Sequence, residues 1–82
     1  GLERFPQTLK NVVVRRKLPF AEIPAVAAAA GEIERELGDN GRILLRYSGT
    51  EPLARIMIEG QDQHGIEQQA GKLADIIREA IG

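Results

Sequence analysis

The segment Leu53-Ala54-Arg55-Ile56-Met57-Ile58-Glu59 sets Ala54, Ile56 and Ile58 on one side and Arg55, Met57 and Glu59 on the other. A period of two is the mark of a strand with one buried face, so this segment requires a sheet covered on one side only. Arg42-Ile43-Leu44-Leu45-Arg46-Tyr47 reads as a second strand, and the short link Ser48-Gly49-Thr50-Glu51-Pro52 makes the two an antiparallel hairpin. A further strand is predicted over residues 8–16, where Val12-Val13-Val14 supplies a β-branched run between Pro6 and Pro19.

Helices must cover that sheet. Pro24 suits a first helical turn, and Ile23, Val26, Ala30, Ile33 and Leu37 follow at spacings of three and four. Glu32, Glu34, Arg35 and Glu36 fill the outer face, Gly38 can turn left-handed after the last turn, and Asp39-Asn40-Gly41 continues the turn. The Ala27 to Ala30 run is good helix former rather than low complexity. After Gly60 a last helix carries Ile66, Ala70, Leu73, Ile77 and either Ala80 or Ile81 on one stripe. Two striped helices and three one-faced strands satisfy each other as an α+β two-layer β-α-β-β-α sandwich, an antiparallel sheet with helices on one face.

At 82 residues this is one domain spanning 1–82. Its stability should be roughly 4–12 kcal/mol at the usual per-residue value. Hydrophobic residues at 43% and charged residues at 28% fit a globular chain. A net charge of −1 offers no overall field toward nucleic acid or an anionic membrane, so any anion site must be local. Cysteine is absent, which excludes disulfides and thiolate metal sites and makes the cytoplasm the expected location. No apolar run approaches the ~20 residues of a membrane span. Gly1-Leu2-Glu3-Arg4 does not read as a signal peptide, and the missing initiator Met points to an excised fragment.

The densest polar cluster runs from Arg46 to Pro52, with Arg55 on the returning strand. A phosphate dianion needs several converging donors, and a tight loop offers backbone N–H groups and short hydroxyls. Ser48 and Thr50 would add hydroxyls, Gly49 would let the chain bend toward the ligand without a Cβ in the way, and Arg46 and Arg55 would close a guanidinium fork. Spacing alone leaves a second reading open, in which the loop is an ordinary hairpin turn and the arginines are solvated or pair with Glu51 and Glu59.

The run Arg46-Tyr47-Ser48-Gly49-Thr50-Glu51-Pro52-Leu53-Ala54-Arg55-Ile56-Met57-Ile58-Glu59-Gly60 closely resembles the signature of the C-terminal domain of the phosphohexomutase family, and within it the bacterial phosphoglucosamine mutases. Arg4-Phe5-Pro6-Gln7 and Asn11-Val12-Val13-Val14 extend the resemblance over nearly the whole chain. It implies a fold similar to one repeat of the TATA-box-binding protein, on a domain that swings over the active site and holds the phosphate not being transferred. It also implies that Arg46, Ser48, Gly49, Thr50 and Arg55 form the phosphate grip, with Glu51 and Pro52 shaping the loop. Tyr47 carries no role in that pattern.

By the same resemblance the parent enzyme interconverts glucosamine 6-phosphate and glucosamine 1-phosphate through a bisphosphorylated sugar, using a phosphoserine and magnesium. Ser48 is the only serine, and Asp39, Asp62 and Asp75 are too scattered for a carboxylate metal loop. The chain by itself is therefore expected to be inactive and to bind no cofactor, with the remaining domains of the parent as its partners. His64, beside Asp62 and Gln63, and Glu67-Gln68-Gln69 read as helix surface, and Met57 either covers the domain or meets a neighbour. The rival readings are the same domain of a phosphomannomutase or phosphoglucomutase, and a stand-alone protein-interaction or assembly module. Nucleic-acid binding is disfavoured, since Phe5, Phe20 and Tyr47 are the only aromatics.

Overall fold

The computed structural model describes residues 5–82, so the Arg4 of the resemblance lies outside the described residues. Three strands, β1 (Gln7–Val13), β2 (Arg42–Tyr47) and β3 (Leu53–Glu59), and two helices, α1 (Pro24–Leu37) and α2 (Gln63–Ile81), occur in the order β1-α1-β2-β3-α2. The α+β arrangement expected from the sequence is the one formed, with a three-stranded sheet and its helices.

In space the strand order is β1-β3-β2, with β3 central and antiparallel to both neighbours. β1 and β2 therefore run parallel to each other without touching, and the connection through α1 carries the chain from one edge of the sheet to the other. α2 lies over β1 and β3 while α1 packs beside it over β2, so both helices share one face. The alternation of β3 explains this: Ala54, Ile56 and Ile58 are fully buried against the helices. Val12, Val26, Ile66, Leu73, Ile77 and Ile81 complete a continuous core with them. At roughly 1.5–3 kcal/mol for each fully buried large aliphatic side chain, this one-sided burial is the main stabilising term.

The opposite face is open. Register places Asn11, Arg55 and Arg46 in one row across it, Leu9, Met57 and Leu44 in the next, and Gln7, Glu59 and Arg42 in a third. Met57 thus faces outward, away from the helices, and is partly buried by the row it belongs to.

Two boundaries differ from the sequence expectation. β1 ends at Val13 rather than at 16, because Val13 faces Leu53, the first residue of β3, and the hairpin loop beyond offers no ladder. The next amides find other acceptors, Val14 N–H on Pro52 O at 2.9 Å and Arg15 N–H on Ile81 O at 2.7 Å. On α2 it is Ile81, not Ala80, that closes the stripe, and Ala74 joins it. Asp62 caps α2 by accepting from Gly65 N–H at 3.2 Å.

Gly38 ends α1 at φ 57°, as its place after the last turn requires. Gly41 is constrained differently: a Cβ there would lie 2.2 Å from Glu59 O and 3.1 Å from Gly60 Cα, both backbone atoms. Backbone cannot rotate aside, so Gly41→Ala must displace the start of β2 from the end of β3. The expected cost is about 1–3 kcal/mol, the usual range for overpacking, read as a lowered denaturant midpoint with an unchanged slope.

Candidate functional site

The hairpin loop is wired from within. Ser48 N–H donates to Leu53 O at 2.9 Å, and Leu53 N–H donates to Glu51 O at 2.8 Å. The Ser48 hydroxyl oxygen accepts from Thr50 N–H at 3.3 Å and from Glu51 N–H at 3.1 Å, a side-chain turn that substitutes for a backbone one. Ser48 is accordingly only 9% exposed. Two of the loop amides expected to face a ligand are thus engaged by Ser48 itself. A hydroxyl has two acceptor lone pairs and one proton, so what Ser48 still has to offer an anion is its proton.

Gly49 and Thr50 are exposed at the tip. Gly49 does not need positive φ, which only Gly38 adopts, and a Cβ built on it would meet nothing within 4 Å. A left-handed backbone is therefore not what the glycine supplies here; its missing side chain leaves the backbone open to approach. Its N–H has no acceptor among the described residues, in contrast to those of Ser48, Thr50 and Glu51.

Arg46 and Arg55 are direct partners across the β2–β3 ladder, so both side chains leave the sheet on its open face. Directly opposed side chains start about 4.5–5.5 Å apart at Cβ, and like charges in that position are destabilising. Neither is compensated: the ion pairs among the described residues are Arg42 with Glu59, at 3.9 Å, and Arg78 with Asp75, at 2.8 Å. Glu59 is also held by Gln7 Nε2 at 2.7 Å, so it is not the partner of Arg55 that the alternative sequence reading allowed. Arg46 and Arg55 line a depression of about 370 Å³ with Asn11, Leu9, Leu44 and Met57.

Sequence reasoning missed three residues placed around the hairpin. Asn11 stands in the same row as the two arginines, a placement that only the β1–β3 register reveals. Lys17 Nζ donates to Ser48 O at 2.6 Å across 31 positions of sequence. Phe20 stacks on Tyr47 with ring centroids 4.2 Å apart and 14° between planes. Tyr47, which had no role by resemblance, is the anchor of the loop's first arm: its hydroxyl donates to Leu18 O at 2.5 Å.

The described residues do not fit a magnesium site. No group of three or more His, Cys, Asp or Glu converges among them, Asp62 caps a helix, and Asp75 pairs with Arg78. His64 is exposed, as expected of helix surface.

Burial raises the Tyr47 hydroxyl above its ordinary pKa of about 10 by disfavouring the phenolate. The folded state then holds this proton more tightly than the unfolded chain does. Its contribution to stability is complete below pH 10 and lost as pH rises through the folded pKa. Tm of the wild type should fall more steeply above pH 10 than that of Tyr47→Phe, which lacks the titrating group. At pH 7 the variant should be about 0.5–1.5 kcal/mol less stable, the usual worth of one hydrogen bond.

Residues 9–76 match the family described as phosphoglucomutase/phosphomannomutase, C-terminal domain. Phosphoglucosamine mutase of Koribacter versatilis is 49% identical over 81 residues, covering 99% of this chain and 18% of that protein. The same-named protein of Geotalea daltonii is 53% identical over 77 residues, 94% of this chain and 17% of that protein. The crystal structure of Aspergillus fumigatus N-acetylphosphoglucosamine mutase in complex with GlcNAc-6P and magnesium superposes with a TM-score of 0.72 at 26% identity, over 93% of this chain and 16% of that one. The chain spans less than a fifth of the length of these relatives. It belongs, by family match, sequence identity and fold together, to the C-terminal domains of the phosphohexomutases.

Proposed function

We propose that this chain is the substrate phosphate-binding domain of a phosphoglucosamine mutase, gripping a phosphosugar with Arg46, Ser48, Gly49, Thr50 and Arg55. The observation that carries the reading is the uncompensated facing of Arg46 and Arg55 beside a loop with a free amide at its tip. A phosphate dianion would turn a repulsive cross-strand pair into a charge-assisted fork. The Ser48 proton, polarised by the two amides that its oxygen accepts, would donate to the same anion. Thr50 adds an exposed hydroxyl at the tip.

The reading extends to the whole protein. Phosphoryl transfer, the magnesium ion and the contacts that choose the sugar would reside in the larger part of the enzyme, with residues 1–82 as one domain against it. A cytoplasmic location fits a chain without cysteine and whose described helices are not long and apolar enough to cross a membrane. Support for glucosamine phosphates as the substrate comes from the names that these relatives bear.

A second reading rests on one observation: Leu9, Val13 and Leu44 are 73%, 67% and 42% exposed, and all three lie on the open face. That much bared aliphatic surface fits a protein-covered face. A tight dimer in sedimentation that ignores phosphate would favour an assembly module over a phosphate grip.

Titrating the isotope-labelled chain with glucosamine 6-phosphate should shift the amides of residues 48–51 selectively. Arg46→Ala should weaken that binding by about 1.5–3 kcal/mol, the usual worth of a hydrogen bond to a charged group. Gly49→Ala separates site from fold. It has space for its methyl group and no strained φ, so its Tm should equal or slightly exceed that of the wild type while phosphate binding drops. Unchanged shifts in both variants would rule the grip out.

A further inference from the structure

Lys17 is exposed, yet it is not a free surface lysine. The segment that carries it is fixed on both sides. Arg15 N–H is bound to Ile81 O at 2.7 Å, and Leu18 O accepts the Tyr47 hydroxyl. From this position the ammonium donates to Ser48 O at 2.6 Å, a charge-assisted bond.

The carbonyl it holds belongs to the peptide joining Ser48 to Gly49. That unit is planar and trans, since the described chain contains no cis peptide, so its C=O and its N–H point in opposite directions. Holding Ser48 O toward Lys17 therefore aims the Gly49 N–H away from Lys17. Gly49 N–H is also the loop amide left without an acceptor, Thr50 and Glu51 being engaged by the Ser48 hydroxyl. A positive charge on the carbonyl oxygen further polarises the peptide and makes its N–H a better donor.

We infer that Lys17 is a positioning residue of the anion site, orienting and polarising the Ser48–Gly49 peptide so that the Gly49 amide donates to the bound phosphate. This rests on the phosphate-grip reading. Lys17 acts from behind the loop, through the peptide, and its partner in the free protein is the carbonyl, not the ligand. An arginine at 17 retains a cationic donor for the carbonyl, whereas a methionine keeps the aliphatic stem and loses both donor and charge.

The test uses the 82-residue chain labelled with ¹⁵N and ¹³C, inorganic phosphate and glucosamine 6-phosphate as probes, and three proteins: wild type, Lys17→Met and Lys17→Arg. Lys17→Met should stay folded, with an unfolding temperature lowered only by the loss of one part-buried hydrogen bond, and show a changed Ser48 carbonyl shift before any ligand is added. It should bind either probe roughly tenfold more weakly, with the saturating shift of the Gly49 amide largely lost, and Lys17→Arg should recover most of both. Equal affinity for wild type and Lys17→Met overturns the inference and leaves the grip standing. Weakened affinity with a full Gly49 shift at saturation overturns it too, since Lys17 would then act as a distant charge. A wild type whose loop amides ignore both probes removes the phosphate grip and this inference together.

Discussion

Ala54, Ile56 and Ile58 lie beneath two helices with almost no contact with water, and the alternation of a strand then leaves Arg55, Met57 and Glu59 nowhere to go but the other face. Because β3 is also the central strand, its outward residues acquire neighbours on both sides. Arg55 consequently stands between Asn11 and Arg46. A polar row with two unpaired cations is thus produced by the same burial that holds the sheet together. A slip of one residue in the β2–β3 register would destroy both at once, sending Ile43 and Leu45 to water and Arg46 into the core.

The loop between these strands solves a separate problem. Five residues must reverse the chain while leaving their tip accessible, and Ser48 does this by turning its own hydroxyl back onto two amides. The turn is then held by one partly hidden side chain instead of by packing. Pro52 O, bound by Val14 N–H, ties the far arm to the end of β1, and the stacked pair of Phe20 and Tyr47 ties the near arm to the start of the α1 layer. In the proposed phosphate grip, a loop held this way would have its geometry before the ligand arrives, which would lower the ordering entropy that binding must overcome.

Much of this was legible in the residues. Period-two alternation identified β3, a β-branched run between prolines β1, and spacings of three and four both helices, while the short 48–52 link made β2 and β3 a hairpin that carries Arg46 and Arg55 on its two arms. The end of β1 was misread because Arg15 and Arg16 continue a plausible strand, whereas the ladder stops where β3 begins. Ser48 was legible as a polar loop residue but not as the loop's internal acceptor, since local side-chain wiring depends on backbone angles that composition does not reveal. Asn11, Lys17 and Phe20 were invisible as site residues because each reaches the hairpin across about 30 or more positions of sequence. Contacts of that kind follow from topology, and the placement of β1 against β3 was not determined by pattern alone.

The bond from Arg15 N–H to Ile81 O has a reach beyond its own length. The last carbonyls of a helix lack intrahelical partners and its final turn frays first. Here that final turn is stitched to the stretch leading to Lys17 and Leu18, and through them to Ser48 and Tyr47. Helix-end fraying and loop orientation are therefore thermodynamically linked, so that a disturbance confined to the last turn of α2 would be felt as a loosened tether at the hairpin.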